Sequence, residues 1–229
     1  MTEIALRGEL WDNDSADILR FWGWRDVTCP GDICTALEKA GGGDVTLLIN
    51  SPGGDMAVGL EIRSILRRYP GQTTALYQGL GASAATLAAS GCRRIESEPG
   101  ALLCYHNPAG TAEGDYHDMA QAAEGLQNAR DCALDVYTAR AGARSREELA
   151  ELMDKNIWIT PRQAYEYGLI DAIAGDDGEN ADPAAFVAAS GCRIRLTEAM
   201  RQQYRQHVAA EKSQKAKQIM ARARVLNEY

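Results

Sequence analysis

Apolar positions along this chain follow two alternating rhythms, and the alternation predicts the fold class. Val45-Thr46-Leu47-Leu48-Ile49-Asn50 is a near-continuous β-branched and apolar run, the signature of a strand buried on both faces. Over residues 55–69, Val58, Ile62, Ile65, Leu66 and Tyr69 then recur at helical spacing. Shorter runs at Ile4–Leu6, Thr73–Gln78, Leu102–Tyr105 and Leu169–Ile173 read as further strands. Helices are predicted over 30–40, where Pro30 suits the first turn, over the small-residue stretch 82–90, and over 115–141. Another is predicted over 146–154, where Ser145 and Glu148 have capping-box spacing. Strand followed by helix, repeated, implies an α/β domain with largely parallel strands over residues 1–174.

The rhythm breaks near residue 175. GDDGENADP is polar, acidic and contains Gly and Pro, so 175–196 reads as an acidic linker with a short helix near 183–190. From Thr197 to Tyr229 the chain carries seven Lys/Arg against three Glu, a local +4. Leu196, Met200, Tyr204 and Val208 recur every fourth residue, and Ile219, Met220, Ala223 and Leu226 continue the apolar set. This predicts a basic, amphipathic C-terminal helix over 197–229 that packs on its own or a neighbouring subunit, the alternative being a scaffold-binding or nucleic-acid-binding arm.

Charge and cysteine usage narrow the partners. The net charge of −8 disfavours nucleic acid, which needs a basic footprint. No window approaches the roughly 18–20 apolar residues of a membrane span, and MTEIALRGELWDND lacks the basic start and apolar core of a signal peptide. A cytoplasmic location is therefore expected, with the six cysteines as free thiols. Cys29 and Cys34 stand in a C-x4-C spacing, but no second Cys/His pair completes a zinc site, so no metal is expected.

Three constellations carry candidate chemistry. Asn50-Ser51-Pro52-Gly53-Gly54-Asp55 lies between the buried strand and a helix, where two glycines allow unusual dihedrals and leave N–H groups facing a negative oxygen. In Gly79-Leu80-Gly81-Ala82-Ser83-Ala84-Ala85, Ser83 sits at a strand–turn–helix among residues too small to hide it, and the Ala84 N–H faces the same space. The bland readings are a tight turn and close helix–sheet packing. A serine hydroxyl needs a base, and the chain has three histidines. His117 and His207 fall on polar helices. His106 ends a strand and precedes Asn107-Pro108-Ala109-Gly110, where parallel sheets place reactive groups.

The order and spacing of NSPGG, the small-residue segment ending in Ser83, and His106-Asn107-Pro108 resemble the ClpP family of serine peptidases. The resemblance covers residues 3 to 174 and extends to Tyr167-Gly168-Leu169-Ile170-Asp171. NSPGGD, GLGASAA, HNP and the Ile157-Trp158-Ile159-Thr160-Pro161 segment are closer in style to the phage ClpP-like head maturation proteases. It implies the ClpP/crotonase-like superhelix of repeated β-β-α units, with residues 115–141 as a handle helix that joins rings. It also implies Ser83 as nucleophile, His106 as general base, and the N–H groups of Gly54 and Ala84 as the oxyanion hole. The family's carboxylate position falls on Asn156, which can still accept the imidazole N–H, with Asp154 as the alternative third member. Asp55, Met56 and Ala57, with Ala109, Gly110 and Thr111, would clamp an extended peptide as an added strand.

The implied function is a serine endopeptidase without cofactor. It would form a homo-oligomeric ring and process capsid or scaffold proteins in the bacterial host cytoplasm or the phage procapsid. The alternatives are a catalytically weak or inactive ring protein with an assembly role, favoured by Asn156, and a crotonase-like acyl-CoA enzyme, which has no need of Ser83 with His106. A Ser–Lys relative of signal-peptide peptidases is disfavoured by the lack of an anchor.

Overall fold

The run that starts at Val45 becomes the middle of a seven-stranded sheet. The computed structural model describes residues 1–140, 142–175 and 196–226. Strand β3 (Val45–Gly54) pairs with β1 (Thr2–Leu10) on one side and β4 (Thr73–Ala82) on the other, both parallel. Its inward residues Val45, Leu47 and Ile49 are fully buried, as expected of a strand covered on both faces. β2 (Val27–Thr28) extends the sheet beyond β1, and β5 (Arg94–Ser97) with β7 (Ala172–Ile173) extends it beyond β4. β6 (Leu102–Cys104) also pairs with β4. The strand therefore forks, with β5 along Thr74–Tyr77 and β6 along Leu80–Ala82.

Helices fill the crossovers: α1 (Asn13–Phe21), α2 (Pro30–Ala40), α3 (Met56–Arg68) and α4 (Ala84–Ala89). They are followed by α5 (Tyr116–Thr138), α6 (Arg146–Lys155), α7 (Pro161–Glu166) and α8 (Glu198–Leu226). The sequence reading had no helix at α1, because Asp12-Asn13-Asp14-Ser15 hides its polar start; Asp12 caps it by accepting from the Ser15 N–H at 2.9 Å. β2, β5 and α7 are likewise additions, each too short to show a period. The strand read at Leu169–Ile173 narrows to β7, with Leu169 and Ile170 in the core ahead of it.

Two polar residues govern how the central strands end. Register shifts between Ile49 and Ser51 against β4, and between Arg7 and Glu9 against β1. Asn50 Oδ1 accepts from the Leu80 N–H at 3.0 Å, and the buried Ser51 Oγ donates to the Gly8 carbonyl at 2.6 Å. These side chains replace ladder bonds lost at the bulges and aim the last residues of β3 at the start of α4.

The helix predicted over 115–141 is α5. Only its last third enters the core, through Ala133, Leu134, Val136 and Tyr137, while Tyr116, Met119 and Leu126 stand exposed. α8 begins with Met200, Tyr204 and Val208 half-buried at the predicted spacing, and Tyr204 and His207 set their rings against Phe21 of α1 at 5.7 and 4.7 Å. The apolar positions from Ile219 onward and the short helix read over 183–190 lie outside the described residues or side chains. Among the described residues no helix is long and apolar enough to cross a membrane.

Candidate active site

Ser83 occupies the one-residue hinge between β4 and α4, with φ 55° and ψ −129°. Among the described residues the other non-glycine at positive φ is Asn156, a residue type that tolerates the left-handed region. For serine this geometry costs on the order of 1–3 kcal/mol and persists only if the surroundings impose it. Here both backbone groups are held. The Ser83 N–H donates to the Cys104 carbonyl at 3.0 Å, and its carbonyl accepts from the Thr86 N–H at 2.9 Å and the Thr86 hydroxyl at 2.6 Å. The side chain is half-buried, does not cap the helix and makes no hydrogen bond among the described residues.

The end of β3 forms the facing wall. A Cβ placed on Gly53 would lie 2.6 Å from Ser83 Cβ and 2.9 Å from the Ala84 nitrogen, so bare backbone touches the serine turn. Gly53 and Gly54 take φ 94° and 153°, and a Cβ on Gly54 would strike the Leu10 backbone at 2.3 Å. α3 closes in from behind, since a Cβ on Gly59 would sit 2.5 Å from the Ala84 carbonyl. These contacts put Gly53 against Ser83 and Ala84, with Gly54 the next residue along β3.

The Ser83–Cys104 bond also brings in the strand end that carries His106. Two residues beyond Cys104, half-buried His106 leaves β6, and its Nδ1 lies 2.7 Å from the Asn107 carbonyl oxygen. That contact makes Nδ1 the donor and leaves Nε2 as the proton acceptor. Nε2 and Ser83 Oγ are not hydrogen-bonded to each other. Asn107 is itself clamped: its Oδ1 accepts from Arg130 Nε at 2.9 Å and its Nδ2 donates to Asp154 at 2.8 Å. Arg130 closes the ring on Asp154 at 3.0 Å. The Asn107 amide and the Arg130 guanidinium together hold the exposed Asp154 carboxyl below the ordinary aspartate range.

The third member therefore sits differently from expectation. Asn156 ends α6 in the left-handed conformation at φ 47°, its N–H bonded to the Met153 carbonyl. Its side chain is exposed and makes no hydrogen bond among the described residues. Asp154 reaches His106 only through Asn107. Both belong to a segment drawn towards β6 by a two-bond bridge between Leu103 and Ile159, at 3.0 and 2.8 Å. The substrate-clamp expectation also changes. Asp55 is the N-cap of α3, still extended at φ −68° and ψ 126°, and accepts from the Ala57 N–H at 2.7 Å, so Met56 and Ala57 open the helix directly after it. Ala109, Gly110 and Thr111 are exposed, outside any regular element, and run past Leu126 of α5.

A strained serine at a strand–helix turn, glycine backbone against it and a histidine at the neighbouring strand end define a serine-hydrolase type of site on a parallel α/β sheet. The chain belongs to the Clp protease family, whose profile matches residues 33–177, and the family consists of serine-type peptidases. It is 33% identical over 130 residues to an ATP-dependent Clp protease proteolytic subunit of Nephroselmis olivacea, covering 56% of this chain and 62% of the relative. It is 31% identical over 132 residues to proteolytic subunit 1 of Streptomyces avermitilis, covering 57% and 60%. It is 30% identical over 167 residues to proteolytic subunit 1 of Chlamydia muridarum, covering 71% and 80%. The first two matches thus span less than two thirds of those relatives. The parallel sheet agrees with the ClpP/crotonase-like fold.

Sequence reasoning missed Asn107, Arg130, Thr86 and Tyr137, whose hydroxyl oxygen lies 2.7 Å from that of Thr86. Thr86 had a signal, a lone hydroxyl in an alanine-rich helix; Arg130 and Tyr137 had none, because only tertiary packing returns α5 to the site.

Proposed function

We propose that this protein is a serine endopeptidase that cleaves extended polypeptide through an acyl-enzyme. Ser83 Oγ attacks the scissile carbonyl, and His106 Nε2 takes the proton and returns it to the leaving amine. The N–H groups of Gly54 and Ala84 receive the developing oxyanion. The observation that carries this reading is the backbone of Ser83, strained at φ 55° while its hydroxyl has no structural task. Strain retained without a packing purpose is a mark of function. The Ser83–His106 hydrogen bond forms when substrate binds, a tightening common in such sites. The Asn107 carbonyl fixes the imidazole tautomer, and the Asn107–Arg130–Asp154 ring fixes Asn107. This route requires no metal or cofactor.

The exposed stretch at Ala109, Gly110 and Thr111 supplies the main-chain groups that receive the peptide. Exposed Met119 and Leu126 on the projecting part of α5 support assembly with further copies into a ring. Capsid or scaffold protein is the substrate that the phage-like style of NSPGGD, GLGASAA, HNP and IWITP favours. The relatives' names, which describe subunits of an ATP-dependent protease, favour unfolded chains delivered by an ATPase. A fluorophosphonate probe followed by peptide mass mapping tests the chemistry: label on Ser83, lost in Ser83→Ala, is expected. Label surviving that substitution removes Ser83 from its role, and a protein that takes no label at all fits an inactive assembly subunit.

A further inference from the structure

Tyr137 belongs to α5, the helix whose other end projects from the molecule, yet it reaches the serine turn. Its hydroxyl oxygen lies 2.7 Å from Thr86 Oγ1, and both residues are buried, Thr86 at 1% and Tyr137 at 3% exposure. Thr86 has one hydroxyl proton, and its 2.6 Å contact with the Ser83 carbonyl uses it. The proton between the two hydroxyls must therefore come from Tyr137. A directed chain results: Tyr137 O–H to Thr86 Oγ1, and Thr86 O–H to the Ser83 carbonyl. Burial pushes the Tyr137 phenol well above its ordinary range, so it stays a donor at every working pH. The same ring packs edge-on against Tyr105, centroids 5.2 Å apart, immediately before His106.

We propose that Thr86 and Tyr137 are positioning residues which hold the Ser83 turn in its reactive conformation and tie it, and the base beside it, to α5. The inference rests on Ser83 and His106 acting as proposed above. The Ser83 backbone is strained and must be imposed from outside. Its N–H is fixed by β6, and its carbonyl is fixed by this hydroxyl chain from the opposite side. A second hydrogen bond to an already bonded carbonyl fixes the orientation of the peptide plane between Ser83 and Ala84, and that plane carries the proposed oxyanion N–H.

The test is the rate at which a fluorophosphonate labels Ser83 in the full chain, with thermal melting measured in parallel. Thr86→Val keeps the shape and removes both hydrogen bonds; labelling slows by roughly 5- to 10-fold, the weight of one neutral hydrogen bond. Tyr137→Phe keeps the ring against Tyr105 and slows labelling to a lesser extent, while Thr86→Ser restores the wild-type rate. Because both residues act through one chain, the double variant Thr86→Val with Tyr137→Phe is no slower than Thr86→Val alone. With a peptide substrate the loss falls on kcat and leaves KM unchanged. Thr138→Ala, which removes a hydroxyl bonded to the Leu134 carbonyl of its own helix, leaves the rate unchanged. A purely structural role lowers the melting temperature of Thr86→Val and Tyr137→Phe with wild-type labelling below the melt, and that result overturns the inference. If Thr86→Val does not fold, Tyr137→Phe against Thr86→Ser decides by the same criterion. Wild-type protein that takes no label on Ser83 instead refutes the proposed function, and this inference with it.

Discussion

Gly53→Ala is the sharpest perturbation of the site that substitutes none of the side chains proposed to act in it. Gly53 takes φ 94°, where an L-residue costs about 1–2 kcal/mol. The added methyl would also lie 2.6 Å from the Ala82 carbonyl oxygen and from Ser83 Cβ, and 2.9 Å from the Ala84 nitrogen. These atoms are backbone or first side-chain carbon and have no free rotamer to escape into, so relief requires moving the β4–α4 turn, at about 1–3 kcal/mol. The sum, roughly 2–5 kcal/mol, stays below the ~5–15 kcal/mol of a typical domain, so the variant folds. At ~2–4 °C per kcal/mol for a chain of this size, melting drops by roughly 4–20 °C. The loss in reactivity is larger, because the atoms that give way belong to Ser83 and Ala84, the proposed nucleophile and oxyanion donor. A displacement near 1 Å lowers the Ser83 labelling rate by on the order of 10²-fold. Gly41→Ala is the control. Gly41 has φ 59° with nothing within 4 Å of an added Cβ, so it carries the backbone cost alone and labels normally. Gly53→Ala protein that melts within about 1 °C of wild type and labels at the same rate refutes the geometry.

The remaining predictions concern the base, acid stability and the thiols. His106→Ala slows labelling by on the order of 10²-fold or more; an unchanged rate points to another base. Asp154→Ala and Arg130→Ala lower labelling by loosening Asn107, while Asn156→Ala leaves it nearly intact. The reverse order, measured in parallel kinetics, would make Asn156 the true partner of the imidazole. Asp32 is partly desolvated, which raises its pKa, but the Cys29 N–H and Arg20 outweigh that and hold it below the ordinary 3.8. A depressed folded value means that its contribution is complete above the ordinary value and is lost as pH falls through the folded one. Asp32→Asn therefore flattens the acid limb of a melting-temperature profile below about pH 4, and an unchanged limb would refute the assignment. Burial pushes Cys92 up to about 12 and Cys104 up to about 11, whereas Cys132 is exposed on α5. Iodoacetamide on native protein therefore modifies Cys132 well ahead of the other two, as peptide mapping will read out.

The central strands and the three constellations were legible because each is local: β3 is a continuous apolar run, and Ser83 and His106 each stand at the end of a strand. Residues whose role comes from bringing distant segments together were not. Asn107 looks like an ordinary loop asparagine until Arg130 and Asp154 close on it, from 23 and 47 positions away. The length of β3 was underestimated, since its last residues, Ser51 to Gly54, read as a turn and yet continue to pair with β1 and β4 across the bulges. The carboxylate position was placed by alignment of motif and not by contact, so the exposure of Asn156 could not be foreseen.

α4 consists of Ala84, Ala85, Thr86, Leu87, Ala88 and Ala89, all buried, with α3 glycine backbone pressed against its first residue. A close-packed interior leaves little room for added volume at any of these positions. Substitution is therefore costly at the end of the molecule that holds the serine turn, while the exposed residues 109–113 lie outside any regular element. On the function proposed above, a lineage built on this scaffold can change which polypeptide it receives by rewriting that one surface stretch, and inherits the serine turn unaltered each time.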